Sequence, residues 1–485
     1  MSNNRINIKK TFIFILPFIL GTYGLFWLEH IPLQDALFSS VAMYFLNYGD
    51  TPANIYIEIA RWTAPLMTAS GIIFAVSVLH TRWHNWIIYL RGGSIAVYGE
   101  PDQTADVLNE LGRKGIKGKE SFVKADRYIL LDDESKNFSF YRTNQSRLTG
   151  KTVYLECSSL QAQTVIGGDL KLFCPEETAA RLFWKQARLY QQSCDSDHQL
   201  KIVILGFGKL GEELLLWGLQ DNLFSPDQLI EYHIFGDSEG FSCMHREMDS
   251  IGDKVYFHKE EWYQNLSLMR DSDRIILCTQ ASQTELLKDL LFTIPVKIFD
   301  VFMAEDASVD FLEAQERIRL FPWRREALRL SNLLDEPLLE RAKRINLRYS
   351  HIYMGVPEDD KTKEAEWKKL DSFTRYSNIS SADYHEIRLQ MLETWGIPAD
   401  KHSSDNKLLS ELTSAQMELL AELEHIRWCR YHYLNNWTYG VPANGKNKDK
   451  NLRIHTDLIP YDSLSEEDKE KDRENIRILL NIIMD

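Results

Sequence analysis

Cysteine is scarce and scattered in this chain. Its six cysteines, Cys157, Cys174, Cys194, Cys243, Cys278 and Cys429, form no CxxC pair and have no histidine cluster beside them. That pattern excludes a signalled zinc site and a disulfide framework, and it reads as a set of reduced cytosolic thiols with no metal site. Basic residues are the minority charge, 56 against 70 acidic, for a formal net charge of −14. A polyanion such as duplex DNA is therefore disfavoured as the main partner, and no nucleic acid is expected. No nucleophile has an evident activating partner, and no acid or base is placed to face a nicotinamide, so no catalytic residue is expected and the chain reads as a non-enzyme. No small-residue cleavage site follows the first apolar run, which argues against a signal peptide.

What is present is long enough for several cores. At 485 residues the chain should hold three or four units of about 100 to 200 residues each. Two uncharged runs lie near the N-terminus, Thr11 to Leu28 and Thr63 to Leu79. The first has 18 residues, close to the roughly 20 that cross a hydrocarbon core. Trp27 sits where an interfacial aromatic belongs, and the bases Arg5, Lys9, Lys10, Arg82 and Arg91 flank the pair. Two spans with both termini in the cytoplasm are the expectation. The intervening segment carries Glu29, Asp35, Asp50 and Glu58 against Arg61 alone, as an exterior loop would. Within it, Leu33 to Phe45 is apolar at helical spacing but too short to span. A re-entrant helix is tolerated at membrane depth where it lines a water-filled path.

Asp35-Ala36-Leu37, then Tyr48-Gly49-Asp50, then Gly71 within the second run, fall in the order of a pore helix, a filter and an inner helix. Over roughly residues 11 to 82 the chain resembles the pore module of two-span potassium channels. The resemblance implies monovalent cations passing Asn47, Tyr48, Gly49 and Asp50. It departs from the family's Thr-Val-Gly-Tyr-Gly-Asp, because Phe45-Leu46-Asn47 replaces the first three filter residues. Asparagine adopts the filter dihedrals less cheaply than glycine, and Phe45 supplies no oxygen, so strict potassium selectivity is not expected.

Beyond the membrane segment, Ser94 to Gly99, Tyr128 to Leu131 and Thr152 to Leu155 are short apolar runs separated by polar, helix-like stretches such as Thr104 to Leu111. They predict a parallel sheet with crossover helices. Its first turn keeps only Gly99, and Glu100 and Asp102 would repel a phosphate, so this unit is expected to bind no dinucleotide.

The next unit carries the full motif. Lys201 to Leu205 is a buried-strand pattern, and Gly206-Phe207-Gly208-Lys209-Leu210-Gly211 opens an apolar helix. Gly206, Gly208 and Gly211 permit a tight turn, close approach of backbone N–H groups to a pyrophosphate, and close helix–sheet packing. Asp237, after the run Tyr232 to Phe235, is the candidate for the ribose hydroxyls. It lies 31 residues after Gly206, and the insertion Asn222 to Gln228 accounts for the long spacing. Further strands are expected at Lys254 to His258, Arg274 to Cys278 and Val296 to Phe299. Residues 92 to 325 resemble tandem regulator-of-conductance (RCK, or TrkA-N) domains. That resemblance implies NAD(H), ATP or another nucleotide as ligand and a homo-oligomeric gating ring, a tetramer if the chain is a channel.

The C-terminal part turns helical. Glu424-His425, Arg427-Trp428, Trp437-x-Tyr439-Gly440, His455, Leu458, Pro460-Tyr461, Leu464, Lys469 and Asp472 follow one another in the order of the ryanodine-receptor repeat (RyR) domain, which this segment resembles closely. Trp367, Leu370, Arg375 and Asn378 repeat the offsets of Tyr461, Leu464, Lys469 and Asp472, which implies a degenerate first repeat. Aromatic faces beside cations suit a planar anionic ligand, so Arg427, Trp428, Trp437, Tyr439, His455, Tyr461 and Lys469 are candidates for a nucleotide-type ligand. The alternative is that the aromatics form a small core and the charges are solvated.

The expected architecture is a membrane α-helical module at 1–90, with two spans and a re-entrant pore helix, followed by tandem α/β Rossmann-type units and a mainly α RyR domain. The Rossmann units are a degenerate one at 91–195 and an intact one at 196–328; a degenerate repeat or helical linker at 329–405 precedes the RyR domain at 406–485. Such a chain would sit in a bacterial inner membrane as a nucleotide-gated channel or pore-forming effector. A non-conducting, membrane-anchored sensor that recruits a partner through its repeats is the alternative.

Overall fold

A computed structural model describes residues 8–47, 52, 54–118, 121–158, 170–278, 283–295, 297–302, 315–334, 336–397, 409, 411–443 and 445–481. The chain divides into two compact units, Met1–Ser94 with Val123–Asp126, and Ile95–Phe122 with Arg127–Asp485.

In the first unit, helix α1 (Ile8–Tyr23) ends in a π-helical turn, Gly24–Leu28. Helix α2 (Leu33–Met43) follows, then α3 (Ile55–Leu90), 36 residues long. Two glycines let α1 approach its neighbours. A Cβ on Gly21 would lie 3.0 Å from Ser40 Oγ, and one on Gly24 would lie 2.8 Å from Asn54 Oδ1. Asn54 caps α3 by accepting from Ile57 N at 3.0 Å, and its amide donates to Glu29 Oε1 at 2.8 Å and to Gly24 O at 3.2 Å. Leu25, Ala36, Met43, Ile57, Ala60 and Ala64 form a small core where the three helices meet. Among the described residues one helix, Ile55–Leu90, is long and apolar enough to cross a bilayer, and the apolar helix Phe12–Leu28 is shorter. The second expected run thus lies on the long helix and the first on the shorter one. The first run loses regular α geometry at Gly24, where the ladder slips to the wider i→i+5 pattern of Glu29 N to Gly24 O. Tyr48, Gly49 and Asp50 lie outside the described residues.

The second unit opens with a five-stranded sheet, all parallel, in the order β2-β1-β3-β4-β5. Its strands are β1 (Ile95–Tyr98), β2 (Gly115–Lys117), β3 (Arg127–Leu130), β4 (Thr152–Glu156) and β5 (Leu170–Phe173), with α4 (Pro101–Leu111) and α5 (Glu134–Leu148) as crossovers. Helices α6 (Pro175–Gln186) and α7 (Tyr190–Asp195) lead into a six-stranded parallel sheet. This contains β6 (Lys201–Leu205), β7 (Glu231–Phe235), β8 (Lys254–His258), β9 (Arg274–Leu277), β10 (Phe299–Phe302) and β11 (Ile318–Phe321). The order is β11-β10-β9-β6-β7-β8, which reverses direction between β6 and β9 as in a doubly wound dinucleotide fold. Helices α8 (Lys209–Asp221), α9 (Glu239–Met244), α10 (Leu266–Asp271) and α11 (Gln283–Thr293) make the crossovers. β10 begins three residues beyond the expected start of the run at Val296, which lies outside the described residues. β11 was not expected.

The rest is helical: α12 (Trp323–Ala327), α13 (Leu330–Leu334), α14 (Pro337–Met354), α15 (Asp360–Lys369), α16 (Ser372–Thr394), α17 (Ser414–Leu434) and α18 (Glu466–Asn481). Short strands at Thr438–Tyr439, Lys448–Asp449 and Ile454–His455 join the last two helices. One hydrophobic core runs from α6, α8 and the six-stranded sheet into α14, α16, α17 and α18, through Trp184, Leu214, Tyr232, Tyr384, Leu423 and Leu479.

Candidate nucleotide-binding site

The turn after β6 is built by what its glycines lack. Gly206 has φ +89°, and Gly236, in the turn after β7, has φ +146°. A Cβ on Gly236 would lie 2.5 Å from Phe207 N, so the two turns nest only because this side chain is a hydrogen. A Cβ on Gly211 would lie 2.7 Å from Gly206 O, which makes this glycine the contact of helix on turn. Gly208 is different. It is exposed at the N-terminus of α8, and a Cβ there would meet nothing within 4 Å. The space above it is what a pyrophosphate needs to reach the helix N-terminus. Phe207 turns inward against Phe241 and Phe257 at 5.2 and 5.9 Å and anchors the loop. Cys278, at the end of β9, donates its thiol to Gly206 O at 2.6 Å; burial pushes that thiol up to about 12, so it stays protonated.

Asp237 is exposed directly after β7 and accepts from Glu239 N at 3.3 Å. The long spacing is absorbed as expected. Gln228 accepts from Phe224 N at 2.5 Å and donates to Asn222 O at 2.7 Å, folding the insertion onto itself before β7 starts. The residues present fit a dinucleotide. The turn of the first Rossmann unit does not offer this: Glu100 and Asp102 stand at the head of α4, with Lys136 spread over Glu100, Asp132 and Asp133.

The RyR candidates divide into four groups. Arg427 and Trp437 point inward. Arg427, 2% exposed, donates Nε and Nη2 to Glu424 at 2.9 and 2.7 Å and Nη1 to Ser380 Oγ at 3.1 Å. Glu424 also holds the fully buried Arg388 of α16. Trp437 stacks on Phe373 of α16 with centroids 5.1 Å apart. Trp428, half-buried, lies 3.9 Å from His432 and 4.9 Å from His455, both buried. Tyr461 is buried, donates to Glu418 at 3.0 Å and carries Lys469 over its ring at 5.3 Å. Tyr439 is exposed. The structure thus gathers Trp428 with His455, and Tyr461 with Lys469. It buries Trp437 and Arg427 where α16 meets α17: the tryptophan takes the core role that the alternative reading gave the aromatics, whereas Arg427 is buried and ion-paired and is not the solvated charge which that reading expected.

Sequence reasoning missed the contact between the two regions. Asn436, at φ +59°, donates to Met244 O at 2.6 Å and accepts from Arg246 N at 2.9 Å. His245 bonds Leu434 O at 2.7 Å. These join the end of α17 to the C-terminal end of α9, the short helix that follows Asp237. Arg430 adds bonds to Asp253 at 2.7 Å and to Leu219 O at 2.8 Å. An asparagine held left-handed after a helix is the one signal that could have pointed there.

The fold and the cleft define an α/β chain of Rossmann type, compatible with nucleotide binding, that carries a helical domain docked beside the cleft. Residues 398–485 match the RyR domain family, so that helical domain is an RyR domain. No curated protein matches the chain. Among solved structures, a dipicolinate synthase from Bacillus subtilis is 13% identical, with a TM-score of 0.25; the match covers 51% of this chain and 96% of that one. Its counterpart from Bacillus halodurans, also a dipicolinate synthase, is 10% identical, with a TM-score of 0.24 and coverage of 50% and 97%. Both bear the name of an enzyme, and the expectation that this chain is no enzyme is withdrawn on that finding. Likeness at this level supplies no active-site argument. Among the described residues no three His, Cys, Asp or Glu side chains are grouped to hold a metal ion.

Proposed function

We propose that the chain is a membrane effector whose cation path is controlled by a nucleotide, NAD(H), ATP or a relative, held in the cleft between β6 and β9. One observation carries the membrane half of this reading: the depth to which α2 descends. α2 begins four residues beyond Glu29, which is bonded to Asn54 at the head of α3, and its 11 residues rise about 16 Å. It ends at Tyr44, whose hydroxyl donates to Phe14 O at 2.6 Å and whose carbonyl accepts from Thr68 at 2.9 Å. From Asn54 to Thr68 along α3 is about 21 Å at 1.5 Å per residue, well into a hydrocarbon core of about 30 Å. A helix that dips so far and does not cross is stable in lipid where other protein or water satisfies its end. Its C-terminal carbonyls carry the negative end of the helix dipole and favour a cation at mid-depth. Asn47 and then Tyr48, Gly49 and Asp50 would line the return path. The exposed apolar face of α3 would meet lipid or further copies, four in a channel.

On the cytoplasmic side, Asn436 and His245 support coupling of the cleft to the RyR domain, since a ligand on Asp237 would bear on the loop they hold. The test is recording from the purified protein in a planar bilayer with NAD+, NADH and ATP added in turn. Nucleotide-dependent current with poor discrimination of sodium from potassium is expected, and Gly49→Val should abolish it. Normal conduction by that variant, or silence of the parent under every condition, refutes the pore and leaves an anchored sensor that recruits a partner.

A further inference from the structure

A second cavity lies away from the glycine turn. It measures about 120 Å³ and is lined by β5, α6 and the helices α13 to α16, with Tyr154 of β4 and Ala327 of α12. We infer that it binds a small organic monocarboxylate, about the size of benzoate, and that this is an effector site separate from the nucleotide cleft.

Size sets the first limit. Pockets that take nucleotides or drug-sized ligands run from roughly 300 to 1,000 Å³, whereas an engineered cavity of about 150 Å³ takes benzene. A nucleotide is too large for this space.

Charge sets the second. Lys171 is paired with Glu336 at 3.1 Å, and Arg181 with Asp383 at 2.5 Å. Arg375 lacks such a partner among the described residues. It donates Nε to Trp367 O at 3.1 Å and Nη2 to Lys368 O at 3.0 Å, both neutral acceptors. The acid that precedes its helix, Asp371, is taken by Lys450 at 2.5 Å. The remaining carboxyl on the wall is Glu177. Burial pushes it up to about 7, against the opposing pull of Arg181, and Tyr376 donates to it at 3.1 Å. Near neutrality Glu177 is thus partly protonated, and Arg375 is the cation on the wall with no carboxylate bonded to it among the described residues, which suits a ligand with a single negative charge.

Shape sets the third. Trp367, Tyr376, Leu339 and Ile379 give the cavity apolar walls on the helical side. A flat ring can lie on these with its carboxylate turned to Arg375. Such a ligand would touch Lys171 on the first sheet and Arg375 on α16 together, holding the first Rossmann unit against the first repeat.

The probe is benzoate, with benzyl alcohol as its uncharged counterpart, titrated by calorimetry into the full-length protein in detergent. Saturable one-to-one binding of benzoate is expected, at least tenfold tighter than any binding of benzyl alcohol. Arg375→Gln should weaken it at least tenfold, Arg375→Lys should restore part of it, and Leu339→Phe should abolish it by filling the space. NAD+ titrations should be unchanged in all three variants. Equal affinity for benzoate and benzyl alcohol, or no saturable benzoate binding, overturns the inference on the parent protein alone, whatever the variants do. Full benzoate affinity in a cooperatively melting Arg375→Gln protein overturns it as well.

Discussion

Glu424→Gln is the substitution whose effect follows most directly from the structure. Glu424 is 4% exposed and accepts from two guanidinium groups that are 0% and 2% exposed, those of Arg388 and Arg427. Gln keeps the volume but removes the negative charge that both guanidinium groups are bonded to, and its amide must turn a donor toward a donor. Breaking a buried ionic group on one side costs about 3 to 5 kcal/mol, because the charge left behind is desolvated and unpaired. Replacing all three with apolar residues of similar volume is close to neutral by the same argument. Hydrogen exchange read on α16 and α17 is the suitable assay, because a chain with several units does not unfold as one. Exchange limited by opening of these helices should accelerate about 10²- to 10⁴-fold in Glu424→Gln, at 1.36 kcal/mol per decade. The triple variant Arg388→Met, Glu424→Leu, Arg427→Met should change by far less. Acceleration below tenfold in the single variant, or a triple variant worse than the single one, would refute the reasoning.

Two further predictions concern the cleft and the repeat. Gly208→Val has room for its side chain and a φ of −118° that valine accepts, so its melting should match the parent, while nucleotide affinity falls at least tenfold. Unchanged affinity by calorimetry would move the ligand elsewhere. His432 is pushed down to about 3 by burial, against its bond to Trp428 O, so it stays neutral in the folded repeat. The unfolded chain takes up a proton below about 6.5 that the folded one refuses, so this contribution is full above that pH and is lost as pH falls toward 3. Between pH 7 and pH 5 the parent should lose about 2 kcal/mol more than His432→Asn. Parallel stability curves for the two proteins would count against the buried neutral histidine.

Much of the fold was legible because parallel strands buried on both faces are short apolar runs bounded by turn residues. β6 and β8 fall on their expected bounds for this reason. β10 and β11 were misread or missed because each carries a polar residue whose partner sits on another strand. Asp300, 3% exposed within Phe299–Phe302, is paired with Arg319 at 2.9 Å and Arg274 at 3.4 Å. One strand alone cannot reveal such a pair. The glycine turn was legible at Gly206 and Gly211, where a positive φ and a contact with the Gly206 carbonyl each exclude a side chain locally. The RyR candidates were less so. Sequence adjacency groups Arg427 with Trp428, yet neighbours on a helix point about 100° apart, and Phe373, which covers Trp437, belongs to α16. The seam between α16 and α17 depends on pairings distant in sequence, and composition does not encode them.

A portable module is one whose core ends at its own boundary. Here Leu423 and Leu479 of the RyR domain share a continuous interior with Trp184 and Tyr232 of the Rossmann unit. The stretch that the RyR family recognises is thus shorter than the piece that folds. Cutting the chain at 398 would strip an apolar wall from both products and leave Arg430 and Asp253 as severed halves of a buried pair. Grafting the helical domain onto another protein therefore requires carrying the six-stranded sheet with it. Variation of the RyR domain must likewise proceed by substitution within a fixed joint, since exchange of whole domains breaks the common interior.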